Sequence, residues 1–198
     1  MAARRAGDNG LLSSKLDRPF AFSVPTHVNF GWGVSREVAS ALPTETKTIA
    51  LLRGKRAQSA DVVRQVFEPH DISLVEVICA GEPSLDSVNA AVDQLAGQEI
   101  NAVIAIGGGS VIDTGKAVAF CLGHRLTLDP DFSQVPQELL SHAAPVPCIA
   151  IPTTAGTGAE VTANAVLEIP NRQAKVSLRG RALFPSIALV DPGLLKTA

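Results

Sequence analysis

The sequence predicts an α/β fold: a parallel sheet flanked by helices, with an added β-hairpin. Three observations carry this. Apolar strand-length runs alternate with amphipathic helical segments from Lys47 to Phe120. One such run, "IAIGGGSVIDTGKAVAF" (Ile104–Phe120), leaves its strand through three glycines directly into a helical pattern. The chain has 198 residues, 46% of them hydrophobic, with a mean hydropathy of +0.22, enough to fill the core of one domain.

The elements follow in order. Residues 1–19 read as a flexible leader, and 20–198 as the α/β domain. The leader holds two arginines but no apolar stretch of signal-peptide length. "FAFSVPTHVNFG" reads as an extended segment, with Pro25 favouring a sheet edge. "GWGVSREVASALP" predicts a glycine turn, a short helix from about Ser35 and a proline stop. "KTIALL" is a buried strand. "SADVVRQVFEPH" is a helix with Ser59 as candidate N-cap and Val62, Val63, Val66 and Phe67 on one face. "SLVEVICA" is the next strand. "PSLDSVNAAVDQLAGQ" is a helix capped by Ser84, with Leu85, Val88, Ala91, Val92 and Leu95 at helical spacing. "NAVIAI" is a third strand and "SVIDTGKAVAFCLG" a third helix. Residues 122–145 are polar and proline-bearing and suit a surface excursion or lid. "VPCIAIPTT" returns a strand, "AEVTANAVLEIPNRQAKVSLRG" a hairpin turning at Pro170–Gln173, and "SIALVDP" a last buried strand.

Composition narrows the function. A net charge of −2 with mixed signs leaves no basic face for nucleic acid, and the apolar runs fall short of the roughly 20 residues that cross a membrane. Cys79, Cys121 and Cys148 are odd in number and far apart, which predicts free thiols in a reducing, cytoplasmic setting.

The glycine turn is a phosphate site by its physics. Its backbone approaches closely, and the following helix offers unpaired N–H groups and the positive end of its dipole. Ser110 is placed to N-cap that helix with Asp113 three residues on, and Lys116 lies within reach of a pyrophosphate or of Asp113. Spacing alone leaves open a plain βα turn whose Ser and Asp only cap a helix. The missing Gly-Lys-Ser/Thr argues against a triphosphate site and toward a dinucleotide. "IPTTAGTGAEVT" (Ile151–Thr162) is a second strand-end loop rich in hydroxyls, with Thr153, Thr154, Thr157 and Thr162.

"GGGSVIDTGKA", then "IPTTAGTGAEVTANAV", "KVSL" and "PSIALVDPGLL", resemble the iron-containing (group III) alcohol dehydrogenase family from about residue 20 onward. "FGWGV" and "GEPSLDSV" resemble it too, and "NAVLEIP" leans toward its maleylacetate reductase branch. Glycerol dehydrogenases and dehydroquinate synthase-like enzymes share the architecture and the "GGGSxxDxxK" turn, but the threonine loop favours the alcohol dehydrogenase branch. The resemblance implies a Rossmann-like NAD(P)-binding domain followed by an all-helical domain that holds Fe2+ or Zn2+. It implies hydride transfer between nicotinamide and an alcohol, aldehyde or ketone. By matching motif, Gly108, Gly109, Ser110 and Asp113 would hold the pyrophosphate side of the cofactor. Thr153, Thr154 and Thr162 would contact its adenine, ribose or nicotinamide parts, and Lys175 would lie near it. Glu82 stands where many members have an asparagine.

Two departures matter. "RGKRAQSA" after the second strand offers Arg53, Lys55 and Arg56 and no acid, which favours NADP, or use of both dinucleotides. The chain also ends before the family's metal-ligand segment would begin. Asp191 reads as a turn residue, and His27, His70, His124 and His142 are scattered without metal-ligand spacing. The expectation is therefore a cofactor-binding portion without a metal, inactive alone, with no catalytic residue assigned. Its partners would be the dinucleotide, a second copy forming a dimer, or a missing helical domain. The alternative is a stand-alone nucleotide-binding or docking module.

Overall fold

A computed structural model describes residues 23–56, 58–130 and 135–197. The leader, the start of the first extended segment and part of the 122–145 excursion lie outside the described residues. Six strands form one parallel sheet: β1 (His27–Phe30), β2 (Thr48–Arg53), β3 (Ser73–Ile78), β4 (Ala102–Gly107), β5 (Cys148–Pro152) and β8 (Ile187–Val190). Their spatial order is β1-β8-β5-β4-β2-β3, every neighbouring pair parallel. The separate hairpin is β6 (Asn164–Ile169) and β7 (Ala174–Arg179), antiparallel, turning through a 3-10 segment at Pro170–Arg172.

The sheet is covered on both faces, and the period of two along its strands sorts side chains between them. Ala50, Leu52, Val103 and Ala105 face α2 (Leu85–Leu95), α3 (Gly109–His124) and the hairpin's Ala165, Leu167 and Leu178, with α1 (Asp61–Phe67) on the other side. Ile49, Leu51, Ile104, Ile106, Ile149 and Ile151 face Val34 and Val38 of a 3-10 helix (Val34–Ala41) and Val63 and Phe67 of α1. All six residues of β4 are buried, as a central parallel strand requires. Gly115 lets α3 lie close on this strand: a Cβ there would stand 2.5 Å from Ala105 Cβ.

Several local expectations hold. Ser84 caps α2 in a reciprocal box with Ser87, accepting from its N–H at 3.1 Å. The hairpin turns where expected, with Gln173 in the left-handed region at φ 47°. All three cysteines are free thiols, and burial pushes Cys121 and Cys148 up to about 12. Burial also raises Cys79, to about 11. The 122–145 excursion carries a short helix, α4 (Gln137–Ser141). No helix among the described residues is long and apolar enough to cross a membrane.

Three expectations are corrected. The segment from Ser35 is a 3-10 helix, anchored by Ser35 Oγ donating to Asp191 Oδ2 at 2.6 Å. Ser59 does not cap α1, because a 3-10 turn (Gln58–Ala60) leads in and Ala60 is already helical. Ser110 does not cap α3 either. Gly108 takes the extended N-cap position, so the helix starts two residues earlier than a Ser110 cap would place it, and Ser110 lies inside its first turn.

Candidate functional site

The strand order reverses at the β2/β4 boundary: the chain adds β3 outward on one side, and β5 and then β8 on the other, with all strands parallel. Open α/β sheets place ligands in the crevice at the carboxyl ends of such a switch point. A cavity of about 260 Å³ lies there. Gly54, Lys55, Arg56 and Ser59 line it from the β2 side, Gly107, Gly108 and Val111 from the β4 side, and Thr153 and Thr154 from β5.

The first turn of α3 opens into this crevice with N–H groups that lack intrahelical acceptors, at the positive end of a 16-residue helix. The glycine turn and the threonine loop, some forty residues apart in sequence, touch each other. A Cβ on Gly108 would stand 3.3 Å from Thr154 Oγ1, and one on Gly109 would stand 3.1 Å from Thr157 Cβ. Thr153 donates its N–H to the Gly107 carbonyl at 2.9 Å. A side chain at either glycine would crowd both the loop and the space above the helix start.

Beneath the turn lies a charge cluster. Lys116 is wholly buried, and its Nζ donates to Asp113 Oδ1 at 2.9 Å and to the Ala159 carbonyl at 2.9 Å. Thr162 O and Oγ1 stand 3.4 Å from the same nitrogen. The other oxygen of Asp113 accepts the Val166 N–H at 3.0 Å, at the start of the hairpin. Of the two readings for Lys116, the structure takes the one toward Asp113. Both carboxylate oxygens of Asp113 are thus engaged within the fold, tying α3 to the threonine loop and to β6.

Lys175 sits on β7, half-exposed, 3.2 Å from Glu82 beyond β3. The hairpin is held over that strand end by the Glu168 N–H donating to the Pro83 carbonyl at 2.8 Å. A smaller cavity of about 200 Å³ adjoins it, lined by Cys79, Glu82, Ser87 and Thr114 among others. Gly108, Thr153 and Thr154 therefore line the crevice, Gly109 packs against Thr157 of the threonine loop, and Ser110 lies in the first turn of α3. Asp113 and Thr162 lie at the buried cluster beneath the crevice, and Lys175 at the rim.

Arg53 is not the open cation that the sequence suggests. Its side chain is only 11% exposed, and its Nε donates to Glu76 Oε2 at 2.7 Å. Glu76 also accepts from Arg64 on α1, and those arginines, Arg64 foremost, hold its carboxyl down to about 2 against the opposing effect of burial. Sequence reasoning passed over Glu76, whose signal was an acid in the middle of an otherwise apolar strand.

The residues fit a dinucleotide: a helix start, a glycine cradle and a hydroxyl-rich loop surround one cavity. Among the described residues no group of three His, Cys, Asp or Glu could hold a metal ion. His70 packs edge-on to Phe67, and His124 packs against Phe120, where burial lowers its pKa. His142 Nδ1 stands 3.2 Å from the Glu138 carbonyl. Asp191 is a buried anchor: burial opposes its ionisation, and hydrogen bonds from Ser35 and from the N–H groups of Gly33 and Gly193 outweigh that and lower its pKa.

The profile of the family described as iron-containing alcohol dehydrogenase matches residues 25–192. The chain is 32% identical over 187 residues to the mitochondrial hydroxyacid-oxoacid transhydrogenase of Caenorhabditis elegans, covering 87% of this chain and 39% of that protein. Among solved structures it is similar to an iron-containing alcohol dehydrogenase from Thermotoga maritima, with a TM-score of 0.77 and 29% identity. That match covers 91% of this chain and 50% of the other. Sulfoacetaldehyde reductase from Bifidobacterium kashiwanohense, in complex with NAD+, matches with a TM-score of 0.72 and 27% identity, over 91% of this chain and 48% of that one. The chain thus spans about two fifths of the curated relative and about half of the solved structures.

Proposed function

The chain belongs to the iron-containing alcohol dehydrogenase family, and on that premise we propose that its described residues form the part that holds NAD(P). The observation that carries this is the switch-point cavity, shared by the glycine turn and the threonine loop. The first-turn N–H groups of α3 and the Ser110 hydroxyl hold the pyrophosphate, with Gly108 and Gly109 leaving room for it. Thr153 and Thr154 donate to the ribose and nicotinamide side. Asp113 acts from beneath: with Lys116 it holds Thr162 and the loop in place. Lys175 adds a cation at the rim.

Bound nicotinamide would supply or accept the hydride exchanged between an alcohol and a carbonyl. This chain's residues bind and orient it. No step is assigned to a metal, because the described residues offer no ligand group for one. Turnover is assigned to the complete family architecture, and cofactor holding to these residues. "NAVLEIP" resembles maleylacetate reductases, and the transhydrogenase relative is named for hydroxy and oxo acids. Both support a carbonyl substrate bearing a carboxylate. The free thiols support a reducing compartment.

Lys55 and Arg56 are exposed at the cavity and suit a 2′-phosphate, so NADP is the preferred cofactor, with NAD also bound. Titration followed by nicotinamide fluorescence tests both statements. The Lys55→Ala/Arg56→Ala double variant should weaken NADPH about tenfold and NADH about twofold or less. If neither dinucleotide binds at millimolar concentration, the cofactor reading fails.

The edge strand β1 supports association as a dimer or docking of a helical domain. Phe30 at the end of β1 is 75% exposed, and Trp32 in the turn just after it is 70% exposed. Light scattering should give a dimer that Phe30→Asp/Trp32→Asp converts to monomer. A monomer at high concentration in the unaltered chain would exclude self-association.

A further inference from the structure

Arg53 closes β2 immediately before the loop that brings Lys55 and Arg56 to the cavity. Its Nη1 donates to the Gly54 carbonyl at 3.1 Å while its Nε is held by Glu76 at 2.7 Å. Glu76 lies one strand over, on β3, at the level of Leu51 of β2. Its second oxygen accepts from Arg64 Nε at 2.5 Å, and Arg64 Nη1 pairs with Asp61 Oδ1. The cluster holds two cations and two anions, so its net charge is zero. The two donors of Arg53 that the geometry defines go to Glu76 of β3 and to the Gly54 carbonyl, and Arg53 is not among the residues lining the cavity, as Lys55 and Arg56 are.

We propose that Glu76 determines cofactor specificity: by clamping Arg53 against β3 it withholds a third cation from the 2′-phosphate subsite, so that NADH competes with NADPH. This rests on the dinucleotide reading of the cavity. Lys55 and Arg56 are then the groups that recognise the phosphate, and Arg53 is a positioning residue that fixes the Gly54 carbonyl at the base of their loop.

The physical argument is one of charge. A guanidinium released toward a dianionic phosphate, in a wet and partly screened cleft, shifts relative affinity by about fivefold. The pyrophosphate, common to both cofactors and farther along the crevice, cancels in the ratio. Neutralising Glu76 as Gln keeps its shape and an acceptor for Arg64 but removes the charge that holds Arg53.

The test is the ratio Kd(NADH)/Kd(NADPH), measured by fluorescence titration on the unaltered chain and on four variants, each checked by thermal melting. Arg53→Met and Arg53→Gln each remove one charge at the same range, so they should lower the ratio by no more than about fivefold, since Arg53 does not touch the phosphate. Glu76→Gln should raise it about fivefold, and Glu76→Gln/Arg53→Met should return it to the starting value. A selective loss of NADPH binding of about twentyfold or more in Arg53→Met or Arg53→Gln, beyond what one screened charge supplies, makes Arg53 a phosphate ligand and overturns the proposal. An unchanged ratio in a folded Glu76→Gln overturns it as well. Arg53→Gln keeps side-chain N–H donors for Glu76 and Gly54, so the phosphate-ligand alternative is tested with the clamp's geometry kept, even where Glu76→Gln does not fold. Absence of binding by the unaltered chain defeats the cofactor reading itself, a separate outcome.

Discussion

The two flanks of the cavity are each braced by an ion pair, and the pairs differ in how much water reaches them. Under the threonine loop, Lys116 and Asp113 have side chains 0% and 14% exposed. Under the β2 loop, Arg53 and Glu76 are 11% and 29% exposed, with Arg64 beyond them at 31%. Lys116 was taken out of water completely and is compensated only by the groups that fix it: one carboxylate, two carbonyls and a hydroxyl. The Glu76 cluster keeps partial solvation, so its members can exchange protein partners for water at smaller cost. The first brace is a structural keystone; the second can be altered with the fold intact, which is what a specificity device needs.

The largest expected effect therefore comes from breaking the dry pair. Lys116→Met leaves the Asp113 carboxylate and two buried carbonyls without their donor, and should cost about 3–5 kcal/mol in urea unfolding. It should also loosen the threonine loop, seen as faster hydrogen exchange at residues 159–162 than at α1. A loss under about 1 kcal/mol would mean that the cluster is wetter than its geometry indicates.

The partly solvated cluster should answer mainly to acid. Its arginines hold Glu76 at about 2, below the ordinary 4.5. A carboxylate depressed in the folded state contributes stability that is complete above the ordinary value and is lost as pH falls from 4.5 toward 2. Glu76→Gln should lower stability at pH 7 by about 1–2 kcal/mol and flatten the acid limb of the urea midpoint across that window. An acid limb unchanged in the variant would show that other carboxylates set it.

These two braces also mark what the sequence could and could not say. The strands, the hairpin and the helix after the glycines were legible because burial on one or two faces writes a period into the chain. The crevice residues were legible because a glycine turn and a hydroxyl loop at strand ends have few other uses together. Lys116 was harder. It sits in "TGKAVAFC", a helix apolar on nearly every side, so a lysine there had no polar face to occupy, and only contact with a distant loop explains it. Arg53 was misleading because a strand-end arginine reads as exposed, and its partner Glu76 stands 23 residues on. Ser59 and Ser110 were taken as caps on residue type, whereas the backbone was already helical at or before them. Pairings across elements depend on sheet order, which one sequence leaves open.

A third pair extends the comparison to the wet limit. Lys175 and Glu82 are 59% and 61% exposed at 3.2 Å. Two long side chains held in one geometry at the surface gain little, so Lys175→Ala should change unfolding free energy by no more than about 0.5 kcal/mol. Its effect on ligand affinity separates two roles. If Lys175 serves only Glu82, dinucleotide binding in Lys175→Ala stays level, and Glu82→Gln does nothing either. If it serves the cofactor, Lys175→Ala weakens NAD(P)H about three- to tenfold, while Glu82→Gln, which frees the lysine, strengthens it. Opposite signs in those two variants, with both stabilities unchanged, would place Lys175 at the cofactor and make Glu82 its competitor.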